Sequence, residues 1–199
     1  MGRALDLAKA LVSVLEKEEN KGKVMLSEIP AGGKFTTDIG NFIVLEQCGD
    51  WTKVITEELY RENVRFDDDT RNYAESKLRK LCDGEIYKEF SDTFGSENII
   101  WHDVDLTSVD MQHEFEAVKC QVRPLTFDEA RKYNNLIVNK DLTDWHWTCT
   151  PWSTEERGCP YSIAVVAPSG DFYCNYCNNF IGVRPFCILK SNIFVSKED

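Results

Sequence analysis

The chain has 199 residues, 42% hydrophobic and 29% charged, enough to close one substantial core with at most a small appendage. Its formal net charge of −11 argues against a conventional phosphate-gripping nucleic-acid binder, which needs a basic face; it favours encounter with a basic surface, although a merely solubilising acidic exterior gives the same charge. No uncharged stretch approaches the roughly 20 apolar residues that cross a bilayer, and MGRALDLAKALVSVLEKEEN interrupts its apolar run at Asp6, Lys9 and Glu16, so neither a signal peptide nor a membrane anchor is expected.

Leu5, Ala8, Leu11, Val12 and Leu15, at three- and four-residue spacing, predict an amphipathic helix over residues 4–19, with Gly22 as its stop. Residues 1–22 are thus expected as an N-terminal helix and 23–199 as a single domain. Lys34 to Thr37 and Asn41 to Gln47 read as a hairpin about Asp38-Ile39-Gly40, and Gly49-Asp50 turns the chain into a strand from Trp51 to Ile55. RFDDDTRNYAES reads as an acidic surface loop before a helix whose apolar face is Leu78, Leu81, Ile86, Phe90 and Phe94, with Asp83-Gly84 as a division. ENIIWHDVDLTS supplies a short strand, and CQVRPLTFDEARKYNNLI a strand followed by a helix, with Thr126 as N-cap and Glu129 completing a capping box. The last third is strand-rich. Pro168-Ser169-Gly170-Asp171 is a turn that pairs residues 162–167 with 172–177, and GVRPFCILKS reads as a terminal strand. The class is α+β, with helices packed on an antiparallel sheet.

Eight cysteines without a secretory signal favour free thiols or metal ligands over a disulfide framework, and imply a cytosolic setting. Cys48, Cys82 and Cys120 are scattered and read as core residues, whereas Cys149, Cys159, Cys174 and Cys177 crowd into the last third. In a thioredoxin-like motif a C-x2-C opens a helix; here Cys174-Asn175-Tyr176-Cys177 lies on the return arm of a hairpin, which weakens a redox reading. Zinc is the other reading, with two thiolates from the C-x2-C and two from elsewhere. The preferred set is Cys149, Cys159, Cys174 and Cys177, with His146 or Cys187 as substitutes for Cys149, and four protein ligands make the zinc structural rather than catalytic. The spacing matches no named finger, and buried thiols acting as small hydrophobes remain the competing reading.

No enzyme is expected. His102, His113 and His146 share no zincin spacing, and there is no Walker loop, G-x-G-x-x-G or G-x-S-x-G elbow. Strand alternation puts Trp145 and Trp147 on one face, a core pattern, while Trp152 after Pro151 is the better contact residue. Asp67, Asp68, Asp69, Trp152, Glu155 and Glu156 are the candidate partner contacts, because they fall in predicted loops and combine charge with an aromatic anchor.

The segment WHWTCTPWS…SIAVVAPSGDFYCNYCNNFIGVRPFCILKSNIFVS resembles the close of a domain family of uncharacterised function common in Firmicutes prophages and mobile elements. IPAGGKFTTDIGNFIVLE, ESKLRKLCDGEIYKEF, NIIWHDVDLTS and VRPLTFDEARKY fit the same pattern, so the resemblance spans about residues 26–196 and is specific over the closing segment. This family looks like a distant relative of formylglycine-generating enzymes and C-type-lectin-like folds. The resemblance implies a lectin-like domain in which the G-V-R-P strand is central and Arg184 is a structural linchpin bonded to buried carbonyls. It supplies no catalytic residue, since the copper-binding cysteine pair of formylglycine-generating enzymes does not map onto this chain.

The chain is also similar to metal-containing anti-CRISPR proteins of streptococcal type. That likeness implies a phage-encoded inhibitor in the bacterial host cytoplasm that binds the type II CRISPR effector nuclease and blocks DNA loading or cleavage, without gripping nucleic acid or membrane itself. The alternative is a phage structural or receptor-binding module displaying loops on a lectin-like fold. An enzyme of formylglycine-generating or thiol-oxidoreductase type is a third reading, and requires a reactive exposed cysteine.

Overall fold

A computed structural model describes residues 20–197; the helix expected over 4–19 lies outside them. After β1 (Val24–Met25), the chain forms the expected meander of β2 (Lys34–Thr37), β3 (Gly40–Cys48) and β4 (Trp51–Thr56), followed by β5 (Arg61–Arg65). Ser76 caps α1 (Lys77–Leu81), which passes through a π-helical turn at Cys82–Ile86 into α2 (Tyr87–Phe94). Asp83-Gly84 therefore widens the helix without ending it.

Next come β6 (His102–Val104), β7 (Val118–Cys120), β8 (Val122–Arg123), α3 (Phe127–Lys132) and α4 (Asn134–Ile137). The capping box of Thr126 and Glu129 opens α3 as the sequence predicts. The strand-rich end comprises β9 (His146–Pro151), β10 (Ser162–Val166), β11 (Phe172–Tyr176), β12 (Phe180–Val183), β13 (Phe186–Lys190) and β14 (Phe194–Lys197). The result is a mixed α+β fold with mostly antiparallel sheets.

Seven strands form one sheet in the order β1-β14-β2-β3-β4-β13-β8, five form a second in the order β11-β10-β9-β12-β5, and β6 pairs with β7. The continuous apolar run of β3 follows from cover on both faces. Phe42 and Val44 join a core cluster with Phe90 and Phe94 of α2, while Ile43 and Leu45 join a second cluster with Ala130, Tyr133 and Ile137 of α3 and α4. Phe42 meets the Phe90 and Phe94 rings edge-on at 5.5 and 5.3 Å, a favoured aromatic geometry. β4 and β13 alternate the same way, with Val54, Cys187 and Leu189 in the first cluster and Ile55, Phe186 and Ile188 in the second.

The closing segment corrects one expectation. GVRPFCILKS is two strands, because the chain leaves the five-stranded sheet after Val183, turns at Arg184-Pro185 and enters the seven-stranded sheet at Phe186. Arg184 is buried at this crossover. Its Nε donates to the Thr56 carbonyl at 3.0 Å and its Nη1 to the Ile137 carbonyl at 2.6 Å, so it links β4 to the end of α4. Its Nη2 has no hydrogen-bond partner among the described residues, and burial lowers its pKa to about 10.

Candidate interaction surface

The hairpin about residues 168–171 forms, with Ser162 opposite Tyr176 and Val166 opposite Phe172. Its register decides the fate of the C-x2-C. Cys174 stands opposite Ala164 on β11 and is exposed, whereas Cys149, two strands away on β9, is fully buried. Cys177 is buried beyond the end of β11, and Cys159 is half-buried in the loop before β10. Among the described residues no group of three or more His, Cys, Asp or Glu side chains is placed to hold a metal ion. Strand alternation and the intervening β10 set Cys149, turned into the core, apart from the exposed Cys174.

Cys149 instead shares a buried neighbourhood with Cys82 and Cys120. Burial pushes the thiol of Cys82 up to about 12 and that of Cys120 to about 11, while Cys149 is raised as well, with Cys120 adding to the rise at both Cys82 and Cys149. Tyr73, which is buried too, is raised by its burial and then by these three sulfurs. The three side chains pack in one apolar cluster as protonated small hydrophobes.

The acidic loop after β5 is largely self-contained. The Asp67 carboxylate accepts from the backbone N–H of Asp69 (3.1 Å), Thr70 (3.3 Å) and Lys77 (3.0 Å). Although burial opposes ionisation, these backbone donors hold its pKa below the ordinary value. Asp68 pairs with Lys77 and Arg65, which lower its pKa in that order. Asp69 is exposed. Of the first three expected contacts, Asp67 and Asp68 thus shape the loop, and Asp69 presents its charge outward.

The backbone of Cys177 ties this loop to another far from it in sequence. Its C=O accepts from the Asp67 N–H at 2.9 Å, and its N–H donates to the Tyr161 carbonyl at 2.8 Å. Tyr161 closes the loop that carries Trp152, Glu155 and Glu156. Glu155 and Glu156 are exposed, while Trp152 is half-buried and its backbone N–H donates to the Ser162 carbonyl at 2.8 Å. Two segments singled out separately in the sequence thus meet across one residue.

Sequence reasoning missed a set of exposed rings on and around β11. Tyr161 (49% exposed), Tyr173 (48%), Tyr176 (61%) and Phe180 (54%) are half of the eight large apolar side chains left exposed among the described residues. The Arg65 guanidinium lies over the Phe180 ring at 4.4 Å, and Trp145 stacks on Tyr173 at 4.7 Å. The signal was in DFYCNYCNNF, where four aromatic residues accompany two cysteines from β11 to the start of β12.

A cleft of about 220 Å³, lined by residues that include Asp103, Asp105, Thr107, Arg123, Asp128 and Glu129, lies beside α3. Arg123, itself buried, donates Nη1 and Nη2 to the two Glu129 oxygens at 2.6 and 2.7 Å, Nη1 also to the Pro124 carbonyl at 2.8 Å, and Nε to His102 Nε2 at 3.0 Å. His102 Nδ1 faces the Ile100 carbonyl at 3.1 Å. Accepting at Nε2 while meeting a carbonyl at Nδ1 assigns the neutral tautomer with its proton on Nδ1. Burial, then the Arg123 charge, lower the His102 pKa to about 4. Against the cost of burial, Arg123 brings Glu129 down to about 2. The group is a mutually satisfied lock at the start of α3.

No protein-family model, curated protein or solved structure matches this chain. No helix among the described residues is long and apolar enough to cross a membrane.

Proposed function

We propose that this chain acts by binding another protein, as a phage-encoded inhibitor that docks on the type II CRISPR effector nuclease in the host cytoplasm and blocks DNA loading or cleavage. The observation that carries the reading is the exposure of four rings on or flanking β11, Tyr161, Tyr173, Tyr176 and Phe180, on both faces of the sheet, together with the exposed Asp69, Glu155 and Glu156 carboxylates on the loops that Cys177 ties to the end of that strand. Tyrosine provides large amphipathic contact area with few rotatable bonds, and exposed aromatic residues are the commonest energetic anchors of interfaces. The net charge of −11 speeds encounter with a basic surface, and an effector that holds a guide–target duplex must offer one.

The scaffold reading is C-type-lectin-like. It is supported by the closing-segment resemblance together with the position of β13, the strand that follows Gly182-Val183-Arg184-Pro185, between β4 and β8. Titrating the purified protein into a guide-loaded streptococcal type II nuclease tests the proposal. Loss of target-DNA cleavage that saturates near one protein per nuclease is the expected result. Full cleavage at large excess, across several type II orthologues, rejects it.

A further inference from the structure

The two larger sheets have four edges, and three are closed by ordinary devices. β1 and β8 are two residues long. β5 carries Arg61, Glu62 and Arg65, places Asn63 at a left-handed φ of 54°, and pairs with β12 through a register shift. Charge, a bulge and brevity are the usual protections of an exposed edge. β11, the remaining edge, reads Phe-Tyr-Cys-Asn-Tyr, without charge or proline, and pairs with β10 over five residues with no register shift.

The hydrogen-bond phase shows which backbone groups face outward. The Ala167 N–H donates to the Asp171 carbonyl at 2.9 Å, and the Cys177 N–H to the Tyr161 carbonyl at 2.8 Å. In an antiparallel ladder such bonds fall on alternate residues, so residues 173 and 175 turn their backbone groups toward β10, while 172, 174 and 176 turn theirs away. Tyr176 is already closed: its N–H donates to Asn175 Oδ1 at 3.0 Å and its C=O accepts from the Asn179 N–H at 3.0 Å. Phe172 and Cys174 thus offer two N–H and two C=O groups that have no partner among the described residues.

We infer that β11 receives an extended, lysine- or arginine-rich segment of a partner protein as a sixth strand of this sheet. The inference rests on the protein-binding reading and adds to it the edge that docks and the form of what docks there. Main-chain bonds to Phe172 and Cys174 fix the added strand, and Tyr173 on one face of the sheet and Cys174 and Tyr176 on the other flank its alternating side chains. Charge selects the segment. Beyond Tyr176, Cys177 is joined directly to the acidic loop and to the loop bearing Glu155 and Glu156, and the Asp67 and Asp69 carboxylates reinforce the upward shift that burial gives its thiol. At the other end, Asp171 and Lys140 line one cleft beside Tyr173 and offset each other.

The probes are two blocked seven-residue peptides, one alternating lysine with valine and one alternating glutamate with valine, added to the full chain while amide hydrogen exchange is followed residue by residue. The lysine peptide is expected to bind saturably and slow exchange at the Phe172 and Cys174 amides by about tenfold or more, and the glutamate peptide to leave both unchanged. Cys174→Pro deletes an outward N–H and no ladder bond, a position where an edge strand accepts proline. It is expected to abolish capture of the lysine peptide, while Cys174→Ser binds as the parent does. Capture that leaves the Cys174 amide unprotected in the parent protein, equal capture of both peptides, or undiminished capture by folded Cys174→Pro would each overturn the inference. In the nuclease titration, equal inhibition by the parent and Cys174→Pro rejects this edge but keeps the protein-binding reading. Peptide capture with Cys174 protection but no inhibition of any nuclease keeps the edge and rejects the nuclease as target.

Discussion

β11 and β13 are both five residues long, both begin with phenylalanine and both contain a cysteine, yet their surroundings are opposite. β13 is bonded on both sides, to β4 and β8, and is covered on both faces, so Phe186, Cys187, Ile188 and Leu189 are all buried. β11 has one neighbour and leaves Tyr173, Cys174 and Tyr176 exposed. Composition alone does not produce the difference. The crossover at Arg184-Pro185 does, by delivering the chain into an interior slot.

The sharpest way to break this comparison is to truncate a ring on each strand. Phe186→Ala empties a fully buried site and is expected to cost about 3–5 kcal/mol, whereas Tyr176→Ala is expected to stay within about 1 kcal/mol of the parent; urea denaturation reads both. A similar cost in the two variants would deny the division. Glu129→Ala should rival Phe186→Ala, at about 3–5 kcal/mol, because it strands the buried Arg123 guanidinium without its carboxylate. Next in size is Gly182→Ala at the entrance to the crossover. A Cβ there would lie 2.6 Å from Leu59 Cδ2 and 2.9 Å from the Trp145 carbonyl oxygen, so a loss of about 1–3 kcal/mol is expected from overpacking.

Acid acts on the interior before it reaches the edge. His102 and His146 both have folded pKa values below the ordinary 6.5, to about 4 for the first and well below 6.5 for the second, with burial the leading cause and a nearby arginine the next. The unfolded chain therefore binds more protons in this range. Stability is complete above about pH 6.5 and declines as pH falls from there toward 4. Glu129 and Glu46, each held near 2 in the fold, add a further loss as pH drops below 4.5. Denaturation at pH 7, 5.5 and 4 checks the slope, and His102→Gln should flatten the first window in part, with His146 supplying the remainder.

The smallest effects on stability belong to the acidic rim. Asp69→Asn, Glu155→Gln and Glu156→Gln together should leave unfolding within about 0.5 kcal/mol of the parent. In the nuclease titration the same triple variant should slow association and reduce its salt dependence. An unchanged on-rate at low salt would remove these carboxylates from the encounter.

Much of the fold was legible because local chemistry and tertiary structure agree. Asp38-Ile39-Gly40, Gly49-Asp50 and the 168–171 turn delimit strands much as turn preferences require, and the capping box at Thr126 marks the start of α3. β5 escaped notice because its charged Arg-Glu-Asn-Val-Arg run has the composition of a loop, and only pairing with β12 makes it a strand. The separation of Cys149 from Cys174 was illegible for a related reason: sequence proximity and hairpin register bring segments near, but the direction of each side chain depends on alternation and on which strand intervenes. Cys149 turned inward to Cys82 and Cys120, two residues read as scattered. The loop contacts were partly legible. Exposure at Asp69, Glu155 and Glu156 follows from loop composition, whereas the capping role of Asp67 is visible only once the Lys77 N–H is seen to reach it.

The passage from β12 to β13 also sets the order in which the molecule can be completed. One short run near the C-terminus supplies an inner strand to each sheet, filling the gap between β9 and β5 and then the gap between β4 and β8. On the ribosome the earlier hairpins can form as they emerge, but both sheets remain split until residues 180–197 are released. Assembly is therefore nonlocal, and a nascent chain stalled before residue 180 would lack β12, β13 and β14 and present six unsatisfied edges, those of β9, β5, β4, β8, β1 and β2, to the chaperones that meet it.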